Sequence, residues 1–184
     1  MAVRTLDSIL TEINATLKEG LSITGVGLWN EAMLTEKDGF TFPVVNIGGG
    51  KGYKISWQDT YPLQIYHRII SDITTEEDSV ASKGRRPYMI RTFPMRMVCF
   101  GTIARLPSER RETNTDVYNT VCNLFPSFLS GGEVIITNSE NVNKLDVYGE
   151  EFAGINMNHL VLDGIAFYIG YDIRQRFGGK YCES

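Results

Sequence analysis

The sequence is poor in the residues that most often carry chemistry. Two histidines, His67 and His159, and three cysteines, Cys99, Cys122 and Cys182, are spread over 184 residues. The cysteines form no C-x-x-C pair and are odd in number, so neither a zinc site nor a disulfide framework is expected, and a reducing cytoplasm fits best. Neither histidine has a second His or Cys at ligand spacing, which argues against a metal. No window approaches the roughly 18 apolar residues of a membrane span. The N-terminus "MAVRTLDSILTEINATLKEG" lacks the apolar core of a signal peptide. A cationic excess is missing too: the formal charge is −4 and the pI about 5.3, whereas domains that coat nucleic acid are strongly basic.

Catalytic motifs are likewise absent. No serine sits in G-x-S-x-G. Cys99 alternates with Met95 and Met97, and Cys122 lies beside Val121, the pattern of inert buried thiols. Glu150 and Glu151 are adjacent and diverge if their segment is a strand. The glycine-rich stretch Ile47–Tyr53, "IGGGKGY", fails as a phosphate loop: with Gly50-Lys51 as the G-K pair, a Walker A motif needs glycine at Val45 and Ser or Thr at Gly52. A dinucleotide motif needs glycine at Tyr53. Both require a helix after the loop, yet Tyr53, Ile55 and Trp57 alternate with polar residues as in a strand. The stretch is expected to be a hairpin tip, with Lys51 and Lys54 beside it. No catalytic residue, cofactor or metal is expected.

The patterning that is present is that of a single α+β domain over residues 1–184. A chain of this length buries roughly 70% of its unfolded surface without staples, and no repeat, linker or low-complexity tract marks a second unit. Leu6, Ile9, Leu10, Ile13 and Leu17 make one stripe of an amphipathic helix ending near Gly20. Strands come next in "SITGVGLWNEAM", in "DGFTFPVVNI" after an Asp38-Gly39 turn, in "YKISWQ" and in "YPLQIYHRIISDI". Residues 74–94 break the pattern as a long loop or extended hairpin, a length that tends to be functional. "MRMVCFGTIA" resumes the sheet. "TNTDVYNTVCNLFPSFL" is a second amphipathic helix, capped by Asn114 or Thr115 and ended by Gly131 and Gly132. "EVIITN" and the long "NHLVLDGIAFYIGYDIRQRF" close it. The expectation is a mostly antiparallel sheet with two main helices packed on one face.

Charge is unevenly placed. Residues 83–111 hold eight basic side chains (Lys83, Arg85, Arg86, Arg91, Arg96, Arg105, Arg110, Arg111) against one acid, and residues 133–163 hold six acids against one base. Such runs are solvated faces or complementary contact surfaces. Arg85, Arg86, Tyr88 and Arg91 mix cations with an aromatic, as interface hot spots do and as single-strand nucleic-acid sites do.

The order of elements resembles the tail-terminator and head-to-tail joining proteins of tailed bacteriophages. Those begin with an amphipathic helix like "LDSILTEINATL" and place a second helix between strands like "MRMVCFGTI" and "IAFYIGYDI". The phrases "YPLQIYHRI" and "PYMIRTFPMRMVCFG" also resemble ring proteins from the tails of crAss-like phages. The resemblance implies a structural virion protein and not an enzyme. It implies a homo-oligomeric ring of six or twelve copies in the neck or tail, assembled in the host cytoplasm. Its partners would be portal or tail rings, with DNA passing transiently through the lumen and no membrane contact. Head-to-tail rings need two different complementary patches per subunit. The expected interface residues are Lys51, Lys54, Lys83, Arg85, Arg86, Tyr88 and Arg91. The competing reading is a small cytoplasmic enzyme or regulator that binds an anionic ligand through residues 83–111.

Overall fold

The computed structural model describes residues 5–21, 23–47, 49–56, 60–79, 88–106, 113–126, 128–129, 132–138, 143–158 and 163–178. Among the described residues, three α-helices, α1 (Leu6–Leu21), α2 (Asn114–Leu124) and α3 (Lys144–Glu151), accompany nine strands. The strands are β1 (Gly27–Lys37), β2 (Phe40–Asn46), β3 (Gly52–Lys54), β4 (Leu63–Ile69), β5 (Thr74–Glu77), β6 (Tyr88–Thr102), β7 (Phe128–Leu129), β8 (Gly132–Asn138) and β9 (Gly164–Gly178). They form one sheet in the order β3-β2-β1-β4-β6-β9-β8-β7, with β5 also beside β6. Every pairing is antiparallel except β1 with β4. The α+β class with a mostly antiparallel sheet agrees with the expectation from sequence.

Helix α1 buries Ile9, Leu10, Ile13, Leu17 and Leu21, each stabilising by about 1.5–3 kcal/mol relative to exposure. Thr5 starts it by accepting the Ser8 amide at 3.2 Å. The helix ends at Leu21, near Gly20 as expected, though Gly20 itself is still helical. That glycine lies one residue inside, where a Cβ would collide with the Leu124 side chain, so its bareness brings α1 close to α2. The cap of α2 is Thr113, one residue before the expected pair, because Thr113 and Asp116 complete a reciprocal capping box. Asn114 is used differently: its side chain accepts the Ala166 amide at 3.0 Å and donates to the Ala166 carbonyl at 3.3 Å, pairing with β9 as a strand would. Helix α2 ends at Leu124, ahead of Pro126 and the two expected glycines.

The two expected helices do share one face of the sheet, and a third helix covers the opposite face. Helices α1 and α2 cover the face carrying Met95, Met97, Cys99, Phe167 and Ile169. The third helix, α3, which the sequence pattern does not predict, covers the other face with Tyr66, Val98, Phe100, Ala166 and Tyr168. The reason is visible in the central strands: β4, β6 and β9 each bury residues of both parities, so both faces need cover. The β1–β2 hairpin contributes Ala32 and Val45 to this second core. Its turn has Asp38 at φ 55° and Gly39 at φ 78°, the mirror-image turn that suits hairpin twist. The turn meets the end of α3, where the Thr41 amide donates to the Ala153 carbonyl at 2.9 Å. Asn143 caps α3 by accepting the Leu145 amide at 3.0 Å. Asn143→Ala is expected to lower stability by about 1 kcal/mol, read as a drop in the urea midpoint; an unchanged midpoint would mean the cap contributes nothing.

Strand β6 is longer than the sequence pattern predicts, and β9 pairs with it along all fifteen residues. On its other side β6 is shared between β4, opposite Met95–Gly101, and β5, opposite Met89–Thr92. Pro94 marks the handover. Its carbonyl accepts the Ile70 amide at 3.1 Å, and it has no N–H to donate on that side, so β4 stops at Ile69 and β5 begins at Thr74. Residues 74–94 therefore contain strand at both ends.

Candidate interface surfaces

The seven residues expected at an interface do not form one site. Lys51 is exposed in the β2–β3 connection and Lys54 at the end of β3; in the connection Gly49 and Gly50 take φ of 60° and 71° and the Ile47 amide donates to the Lys51 carbonyl at 3.0 Å. The glycines lead into a strand, in keeping with a hairpin tip, though β3 is shorter than "YKISWQ". The Lys54 ammonium lies 3.9 Å from the Phe42 ring centroid, over the outer face of the hairpin. Tyr88 and Arg91 stand on β6, separated from β3 in the sheet by β4, β1 and β2. Lys83, Arg85 and Arg86 lie outside the described residues.

Tyr88 and Arg91 belong to an exposed arm. Its strands are β5, the first residues of β6 and the last of β9, paired Thr74↔Thr92 to Glu77↔Met89 and Tyr88↔Gly178 to Thr92↔Arg174. All four residues of β5 are exposed. Tyr88, Ile70 and Ile73 are 41%, 46% and 45% exposed, large apolar surfaces at an element with few core contacts. The Arg91 guanidinium lies 5.3 Å from the Phe177 ring centroid, a cation–π contact that leaves its donors available.

Part of the charge expected to meet a neighbour is instead satisfied within the chain. Glu150 and Glu151 do not diverge, because α3 sets consecutive side chains about 100° apart and both reach Arg68. Glu151, fully buried, contacts the Arg68 guanidinium and accepts the Tyr66 hydroxyl. Glu150 takes Arg68 at 3.1 Å, Arg96 at 2.8 Å and the Tyr168 hydroxyl at 3.2 Å. The Arg96 guanidinium sits 4.4 Å from the Tyr168 ring centroid. Burial pushes the Glu150 carboxyl up, but Arg96 and Arg68 outweigh it and hold it below the ordinary range. Burial raises the Glu151 carboxyl against the pull of Tyr66 and Arg68. Arg96, one of the eight basic residues of the 83–111 run, thus clamps α3 to the sheet.

His67 is fully buried and serves a second polar network. Asn30 donates to the Asp7 carboxylate at 2.6 Å, so its carbonyl oxygen faces Asn14, whose amide donates to it at 3.0 Å. The Asn14 carbonyl oxygen then faces His67 Nε2 at 3.0 Å, which must carry the proton. Tyr171 accordingly donates its hydroxyl to Nδ1 at 2.7 Å. Both ring nitrogens are satisfied in the neutral form, and burial lowers the pKa to about 3. His159 lies outside the described residues. Among the described residues, no three His, Cys, Asp or Glu are grouped to hold a metal ion, and no helix is long and apolar enough to cross a membrane.

No protein-family model, curated protein or solved structure matches the chain. The surfaces are consequently read from their own chemistry. Two of them stand out: the hairpin tip with Lys51 and Lys54, and the exposed β5–β6–β9 arm with Tyr88 and Arg91. The buried network around α3 is hard to see in the sequence because its signal, Asn143 and then Val147, Tyr148 and Phe152 at helical spacing, lies within a segment dominated by acids.

Proposed function

We propose that the chain is a structural virion protein, a subunit of an oligomeric ring in the neck or tail of a tailed bacteriophage. In this reading it joins head or portal to tail components and forms part of the DNA ejection channel. Six or twelve copies follow by analogy with the tail-terminator and joining proteins that it resembles. The observation that supports the reading is the exposed arm. It carries large apolar side chains and an aromatic-cationic pair away from the two cores, and it adjoins the most basic stretch of the sequence. Such a composition suits a protein contact.

Mixed with its neck and tail neighbours, the protein is expected to form closed rings visible by negative-stain microscopy and to give one defined mass in native mass spectrometry. A protein that stays monomeric with those neighbours present overturns the proposal. Arg85→Ala combined with Arg86→Ala is expected to abolish ring assembly while leaving the thermal midpoint unchanged. Rings formed as readily by that variant would exclude the basic segment from the contact. A thermal-shift screen with nucleotides, phosphosugars and short DNA separates the anion-binding reading, because a ligand at 100 times its dissociation constant adds roughly 2.7 kcal/mol.

A further inference from the structure

Strand β5 is an edge. It pairs with β6 alone among the described strands, and its register shows which groups are left open. The Asp78 amide donates to the Tyr88 carbonyl at 2.8 Å and the Ile70 amide to the Pro94 carbonyl, so Thr74 and Glu76 turn their backbone groups toward β6. Thr75 and Glu77 therefore turn theirs outward, where they meet no described strand. A further strand laid on this edge would find a ready ladder.

The side chains specify what that strand carries. Glu76 and Glu77 are consecutive, so one carboxylate stands on each face of the sheet. Both are exposed, and neither carboxylate makes an ion pair or hydrogen bond among the described residues. Asp78 is different: it is buried and paired with Arg176 at 2.7 Å. An incoming strand complements the edge when it has two consecutive cations, one for each face. The sequence has one such pair beside the arm, Arg85-Arg86, and the adjoining Pro87 favours extended backbone at the residue before it.

Chain length keeps Arg86 from its own edge. Two residues span at most about 7 Å, and Arg86 is two residues from Tyr88 on β6. The strand position beyond β5 lies about 9.6 Å from β6, two strand spacings away. We infer that the β5 edge of one copy is a strand-addition site for the Arg85-Arg86 segment of a second copy, Glu76 and Glu77 pairing across the faces with the two arginines. This rests on the ring reading and names its complementary patches: an acidic edge and a basic segment, different surfaces that propagate head to tail.

Sedimentation velocity over a range of concentrations at low salt tests it with Glu76→Lys/Glu77→Lys and Arg85→Glu/Arg86→Glu. Each double variant alone is expected to self-associate about tenfold or more weakly than wild type, since two attractive pairs become repulsive. A one-to-one mixture of the two restores association, because each junction then joins opposite charges, and so does the chain carrying all four substitutions. Matching far-ultraviolet circular dichroism confirms that the substitutions leave the fold intact. A monomeric wild type, undiminished association of either variant alone, or a mixture that stays apart overturns the inference. Rings that form with neck and tail neighbours equally well from wild type and both variants would sink the β5 pairing and leave the ring proposal standing.

Discussion

Arg68→Ala is expected to destabilise the protein by about 3–5 kcal/mol, the range found when one partner of a buried ion pair is removed. The size comes from what is left behind. Glu151 is fully buried, and without Arg68 its carboxylate keeps, among the described residues, the Tyr66 hydroxyl alone. Glu150 retains Arg96 and Tyr168, so the loss concentrates on the inner carboxylate. Pairing Arg68→Met with Glu151→Leu removes both charges and is expected to recover most of the loss, since apolar replacement of a whole buried pair is often neutral. Urea denaturation at neutral pH measures both, with the m-value as a check that the denatured state is unchanged. A loss under about 1 kcal/mol for Arg68→Ala would place the pair in the weak class of solvent-screened ion pairs.

This clamp also shows where sequence reasoning reaches its limit. Helix α1 is legible because its apolar residues repeat at helical spacing against a polar background, and the Asp38-Gly39 hairpin because only a few residues suit its backbone. Central strands are legible from apolar density, but density alone does not reveal that both sheet faces are filled. Helix α3 escapes because eight residues offer too few turns for a periodic signal, and its acids suggest a contact surface. The pairing of Glu150 with Arg68 and Arg96 joins positions more than fifty residues apart, which only the sheet register of β4 and β6 brings together. The candidate interface is legible as composition, through Tyr88, Arg91 and the basic segment. The backbone edge beside it, unpaired among the described strands, is not, since it depends on Pro94 dividing β6 between two partners.

Stability is expected to fall by about 2 kcal/mol between pH 7 and pH 5 through His67 alone. The native state holds the ring neutral, with a pKa lowered to about 3, whereas the unfolded chain titrates it near 6.5. Between those values the unfolded state binds one proton more, so stability rises with pH at about 1.4 kcal/mol per unit. The His67 contribution is thus complete above pH 6.5 and is lost as pH falls toward 3. His67→Gln isolates it, because a glutamine can accept from Tyr171 and donate to Asn14 without titrating. Urea midpoints at pH 7 and pH 5 are expected to differ for wild type and to converge for the variant, with His159 and the carboxylates common to both. Parallel losses in the two proteins would show that His67 accepts a proton in the folded state. In that case the ordered chain from Tyr171 through Asn14 and Asn30 to Asp7, which fixes the neutral tautomer, would have to rearrange, and α1, which supplies Asp7 and Asn14, would be the element free to move.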